Sequence, residues 1–133
     1  MSLEEKKRAK ILLVNPPIPP KTYMHTTLFP LIGLAYLAAI LDKHGHEVTV
    51  IDCPALKLTH EDLKREIAKL QPDIVGITSV TVNSSSALQA AVVAKEACPR
   101  TFTVLGGPHV TVMDEETISE NKDVDCVARH ECE

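Results

Sequence analysis

The sequence has no cysteine pair at the close spacing of a zinc site, no glycine-rich phosphate loop, no long apolar run and no surplus of positive charge. Each absence excludes a class of protein. Cys53, Cys98, Cys126 and Cys132 are scattered, and without a secretory signal they read as reduced thiols of a cytoplasmic protein. Cys126 and Cys132 with His130 could contribute to a metal site, but incidental thiols are the simpler reading. The longest apolar stretch, Leu31 to Leu41, falls short of the ~20 residues that cross a bilayer. No membrane association is expected. A net charge of −4 argues against nucleic acid as the main partner. What is present is a chain of 133 residues, 44% hydrophobic and 24% charged, enough for one domain with a core that needs neither disulfide nor metal.

Residues 1–9 are charged and read as a flexible lead-in to a domain over 10–133. Lys10-Ile-Leu-Leu-Val14 predicts a first strand buried on both faces, stopped by Asn15-Pro16-Pro17. Between Asn15 and Pro30 the chain holds five prolines and no periodicity, the mark of a functional loop. A helix is predicted over Leu31 to His44, opened by Pro30 and closed by Gly45 in a left-handed cap. Glu47 to Ile51 is the second strand. Thr59 and Asp62 form a capping-box pattern for a helix whose apolar face is Leu63, Ile67 and Leu70, ending at Gln71-Pro72. Asp73 to Ile77 is the third strand and runs into a hydroxyl-rich segment. An alanine-rich helix over Ser84 to Cys98 follows, with Ser84 to Ser86 read as its capping turn. Phe102 onward is the fourth strand, Asp114 to Glu120 a short helix, and Asp125 to Ala128 a brief fifth strand.

This alternation predicts an α/β fold: a flavodoxin-like (Rossmann-like) three-layer sandwich with a five-stranded parallel sheet in the order 2-1-3-4-5. In such a sheet ligands bind beyond the carboxyl ends of the strands, where the strand order reverses. Three unusual loops, Asn15 to Pro30, Thr78 to Ser84 and Gly106 to Thr111, all follow strands and so converge there. Asn15-Pro-Pro-Ile-Pro-Pro20 matches neither a dinucleotide fingerprint nor a P-loop. A phosphoacceptor domain would need a carboxylate where Thr78 stands, and a flavin loop would need glycines and hydroxyls where the prolines stand.

Asn15-Pro-Pro, Pro30-Leu-Ile-Gly-Leu-Ala-Tyr-Leu-Ala-Ala-Ile-Leu41, Gly45-His-Glu-Val48, Asp52, Pro72-Asp-Ile-Val-Gly-Ile-Thr78 and Gly106-Gly-Pro-His109 with Thr111 occur in this order. Together they resemble the amino-terminal cobalamin-binding domain of cobalamin-dependent radical S-adenosylmethionine enzymes. That family includes methyltransferases and the anaerobic oxidative cyclase of magnesium-protoporphyrin monomethyl ester. The resemblance implies that this chain is the cofactor-binding half of a longer enzyme and is not itself catalytic. The catalytic domain, with its 4Fe-4S cluster and S-adenosylmethionine, would be a carboxy-terminal part of the same polypeptide; none of these four cysteines has the cluster spacing. Where the family usually reads Gly-Glu-Gly-Glu, this sequence has Arg129-His130-Glu131-Cys132-Glu133.

The resemblance further implies a cobalamin site drawn from Asn15, Pro16, Pro17, Thr78, Ser79, Thr81, Gly106, Gly107, Pro108 and His109. Hydroxyls of Thr78, Ser79 and Thr81 would serve the nucleotide tail, Gly106 and Gly107 would make room, and His109 would hydrogen-bond a corrin amide or the tail. The Asp-x-His-x-x-Gly motif of carriers that ligate cobalt from below is absent, so base-off cobalamin without a histidine lower ligand is expected. His25 is the one candidate against that expectation. Two alternatives stand beside this reading: a non-catalytic interaction or sensor domain that has lost its ligand, and a stand-alone corrinoid carrier.

Overall fold

The fold is taken from a computed structural model that describes residues 8–18, 32–79, 84–107, 119 and 121–128. Five parallel strands, β1 (Lys10–Asn15), β2 (Glu47–Asp52), β3 (Ile74–Thr78), β4 (Phe102–Gly106) and β5 (Cys126–Ala128), form one sheet in the order β2-β1-β3-β4-β5. Helices α1 (Ile32–Lys43), α2 (Cys53–Leu56), α3 (His60–Leu70) and α4 (Ser84–Ala97) complete the described elements. The flavodoxin-like architecture and the strand order expected from the alternation are both present.

Burial explains the layers. β1 is an interior strand, and Ile11, Leu12, Leu13 and Val14 are all buried because helices cover both faces. Leu12 and Val14, with Val75, Ile77 and Leu105, pack in one cluster with Leu63 and Ile67 of α3 and with Ala87, Ala90, Ala91, Val93 and Ala94 of α4. The alternate positions Ile11 and Leu13 pack with Leu34 of α1 and half-buried Leu37, Leu41, Val48 and Ile74. Leu12, Leu63, Ile67 and Leu105 are each at most 1% exposed, and burying each contributes about 1.5–3 kcal/mol. Five buried side chains of α4 are small or β-branched, so the helix can lie close to the sheet. On the α1 side Phe102, in register with Ile74, stays 47% exposed.

Local signals act as their chemistry requires. Thr59 accepts from the Asp62 backbone N–H at 3.2 Å while the Asp62 carboxylate accepts from the Thr59 N–H at 2.9 Å, closing the capping box of α3. Gly45 ends α1 with φ 90°, the left-handed conformation expected of it. One element was not foreseen: beyond Asp52 the chain makes a helical turn, α2, opened by Pro54 and closed by Lys57 with φ 55°. The predicted short helix over Asp114 to Glu120 falls, apart from Ser119, outside the described residues.

The short outer strand is held by a carboxylate. Asp125 accepts from the Thr103 backbone N–H at 2.9 Å and pairs with the Lys95 ammonium of α4, tying β5 to β4 and to the helix layer. Burial pushes its pKa up, but the Lys95 hydrogen bond and the Thr103 N–H outweigh it, so the carboxyl sits below its ordinary value. A depressed carboxylate stabilises the fold above its unfolded pKa and loses that contribution as pH falls through the folded one. Acid unfolding followed by circular dichroism should therefore show a steeper loss of stability below about pH 4 for the native chain than for Asp125→Asn.

Candidate functional site

All five strands end at one edge, and the register sets their last residues in a row. Asn15 lies beside Asp52, Thr78 beside Gly106, and Gly106 beside Ala128, while Val14 and Ile77 pair just beneath Asn15 and Thr78. These five terminal residues are all half-buried. From β1 the chain crosses to β2 on one side, and from β3 it proceeds to β4 and β5 on the other. Asn15 and Thr78 thus flank the point where strand order reverses. The Asn15 amide nitrogen donates to the Asp52 carboxylate at 3.0 Å, which orients it along the edge.

Just above this row the loops after β3 and β4 meet backbone to backbone. The Ser79 N–H donates to the Gly106 carbonyl at 2.7 Å, one step beyond the last pair of the ladder. Gly107 has φ 109°, and a Cβ there would come within 2.5 Å of the Ser79 carbonyl oxygen and 3.1 Å of its nitrogen. Only glycine satisfies both the angle and the contact. Gly106 differs: a Cβ there would meet Ala128 at an ordinary 3.7 Å. The space beside Gly107 is filled by the Ser79 backbone, a packing role that the glycine pair alone did not reveal.

Ser79 is 1% exposed, and its hydroxyl has no hydrogen-bond partner among the described residues. Leaving a buried hydroxyl unpaired costs about 1–3 kcal/mol, a cost that a polar ligand would remove. The other such hydroxyl, Thr101, stands at the opposite edge, ahead of β4. Pro16 and Pro17 are buried against the same carboxyl edge. Cys53, at the end of β2, is fully buried; burial first, then the neighbouring Asp52 carboxylate, push its thiol up to about 12. Among the described residues no three His, Cys, Asp or Glu side chains are grouped to hold a metal ion. None of the described helices is long and apolar enough to cross a membrane.

Residues 26–133 match the B12 binding domain. The chain belongs to the B12-binding domain family. It is 44% identical over 129 residues to an uncharacterised methyltransferase of Pyrococcus horikoshii, covering 96% of this chain and 28% of that protein. It is 35% identical over 106 residues to the anaerobic magnesium-protoporphyrin IX monomethyl ester cyclase of Rubrivivax gelatinosus, covering 79% of this chain and 19% of that one. In both cases it spans less than a third of the relative's length. The cobalamin-dependent S-adenosylmethionine radical enzyme OxsB, solved with aqua-cobalamin and S-adenosylmethionine bound, shares the fold: TM-score 0.75 at 15% identity, over 94% of this chain and 17% of that one.

Of the residues named from the sequence, the B12-binding fold brings Asn15, Pro16, Pro17, Thr78, Ser79, Gly106 and Gly107 to one edge. Thr81, Pro108, His109 and His25, with His130 and Cys132, lie outside the described residues. Ser86 departs from its expected capping role: its hydroxyl donates to the Pro17 carbonyl, and His60 of α3 lies 3.2 Å from it. Neither His60 nor Asp52 was singled out as a site residue, because both contacts join segments far apart in sequence.

Two outcomes follow from this geometry. Gly107→Ala should lose about 1–3 kcal/mol in chemical denaturation, while Gly106→Ala should stay within about 0.5 kcal/mol of the native chain. Labelling of the folded protein at pH 8 with iodoacetamide, read by peptide mass spectrometry, should leave Cys53 and Cys98 unmodified and modify half-buried Cys126.

Proposed function

We propose that this domain holds base-off cobalamin at the carboxyl edge of its sheet, without a protein histidine beneath the cobalt. It would do so for methyl transfer or radical chemistry performed by a catalytic domain elsewhere in the same polypeptide. The observation that carries the reading is the buried Ser79 hydroxyl, without a hydrogen-bond partner among the described residues and set beside Gly107, in a chain of the B12-binding family. The methyltransferase and cyclase relatives support the kind of chemistry, and their greater length supports a further domain carrying a 4Fe-4S cluster and S-adenosylmethionine.

The residues present fit the cofactor. Cobalamin is fringed with amides and carries a polar nucleotide tail, so an uncharged hydroxyl that both donates and accepts suits it. Ser79, with Thr78 and Thr81, would hold the tail; Asn15 and His109 would meet corrin amides. Gly106, Gly107, Pro16, Pro17 and Pro108 would shape the rim. The Asp52 contact keeps the Asn15 amide directed along the edge, so that it need not be ordered on binding. Bound cobalamin would supply a cobalt centre able to carry a methyl group.

Mixing the chain with hydroxocobalamin, desalting it and recording the visible spectrum should show retained corrin. Ser79→Ala should weaken retention about tenfold while leaving the ligand-free protein at least as stable, since it removes an unpaired hydroxyl. His25→Ala should leave the spectrum unchanged. A native chain that emerges colourless overturns the binding reading in favour of a ligand-free interaction domain, and a spectrum altered by His25→Ala overturns the absence of a histidine ligand.

A further inference from the structure

We propose that His60 and Ser86 are positioning residues: together they anchor the carbonyl of Pro17 and so set the path by which the chain leaves β1 across the cofactor edge. This rests on the cobalamin reading above. Pro16 and Pro17 are buried directly after β1, and neither has an N–H with which to continue the sheet ladder. Carbonyl oxygens are the only polar backbone groups the pair possesses. The Pro17 oxygen accepts from the Ser86 hydroxyl, across 69 positions of sequence.

The hydroxyl has one proton, and the Pro17 carbonyl, which can only accept, takes it. His60 Nε2 lies 3.1 Å from the Ser86 carbonyl oxygen and 3.2 Å from Ser86 Oγ. Neither of those atoms has a proton left to give. Nε2 therefore carries the hydrogen and donates to Ser86, which assigns the tautomer of His60 from the network itself. His60 is the first residue of α3, and Ser86 lies in the first turn of α4, the helix that follows the Thr78–Ser79 loop. The network thus fixes one loop of the edge relative to the other across the strand-order reversal, without either side chain having to touch the ligand.

The test measures hydroxocobalamin affinity by equilibrium dialysis, together with the 15N chemical shifts of the His60 ring and the hydrogen exchange of the Ile18 amide. His60→Ala and Ser86→Ala should each weaken binding about tenfold, and His60→Gln, which keeps a donor, should recover to within about threefold of the native chain. Lys64→Ala, which removes the 2.8 Å Lys64–Glu96 bridge between the same two helices, should bind as the native chain does. Native affinity in both alanine variants, or an equal loss in Lys64→Ala, overturns the proposal. So does a His60 ring with an unprotonated Nε2. Should the native chain bind no hydroxocobalamin, the cobalamin reading fails and the anchor is judged separately: Ile18 exchange about tenfold faster in Ser86→Ala upholds it, and unchanged exchange overturns it.

Discussion

β1 is hydrogen-bonded to a neighbour on each side and packed against a helix layer on each face, so its four apolar residues from Ile11 to Val14 have no solvent to turn to. Everything else in the fold is placed relative to this strand. The chain must cross one way to reach β2 and the other way to reach β4 and β5, and that reversal falls at the carboxyl ends of β1 and β3, where sheets of this kind bind ligands. The two faces divide its side chains: Leu12 and Val14 belong to the core beneath α3 and α4, Ile11 and Leu13 to the smaller one beneath α1. Asn15 and the two prolines stand where the buried strand ends.

Just beyond the strand ends the backbones that follow β3 and β4 meet directly. Gly107 approaches Ser79 so closely that no other residue could stand there, and the Ser79 amide completes one more hydrogen bond beyond the sheet. The Ser79 hydroxyl is closed off from solvent and has no hydrogen-bond partner among the described residues. Nearby groups such as the Asn15 amide and the Ser86 hydroxyl do have partners, which sets Ser79 apart from them.

Membership of the B12-binding family fits this architecture, and the chain covers only 28% and 19% of the methyltransferase and cyclase relatives. The sheet edge offers hydroxyls, an amide and backbone, groups of the kind that a large cofactor fringed with amides can meet.

The element order, the strand order, the capping of α3 by Thr59 and Asp62 and the left-handed turn at Gly45 were legible in the sequence, because each depends on neighbours within a few positions or on the handedness of crossovers. The α2 turn was missed because Asp52-Cys53-Pro54 reads equally as a strand end and as a helix start. By itself, then, the chain determined a parallel sheet with the carboxyl ends of its strands at one edge, through local periodicity and short-range chemistry. Only the tertiary structure decided that Gly107 serves the Ser79 backbone, that Asn15 is held by Asp52, and that Ser86 anchors Pro17 beside His60. The reason is distance along the chain: these contacts join residues from 26 to 69 positions apart, and no local pattern encodes a pairing that forms only when separate strands and helices are brought together.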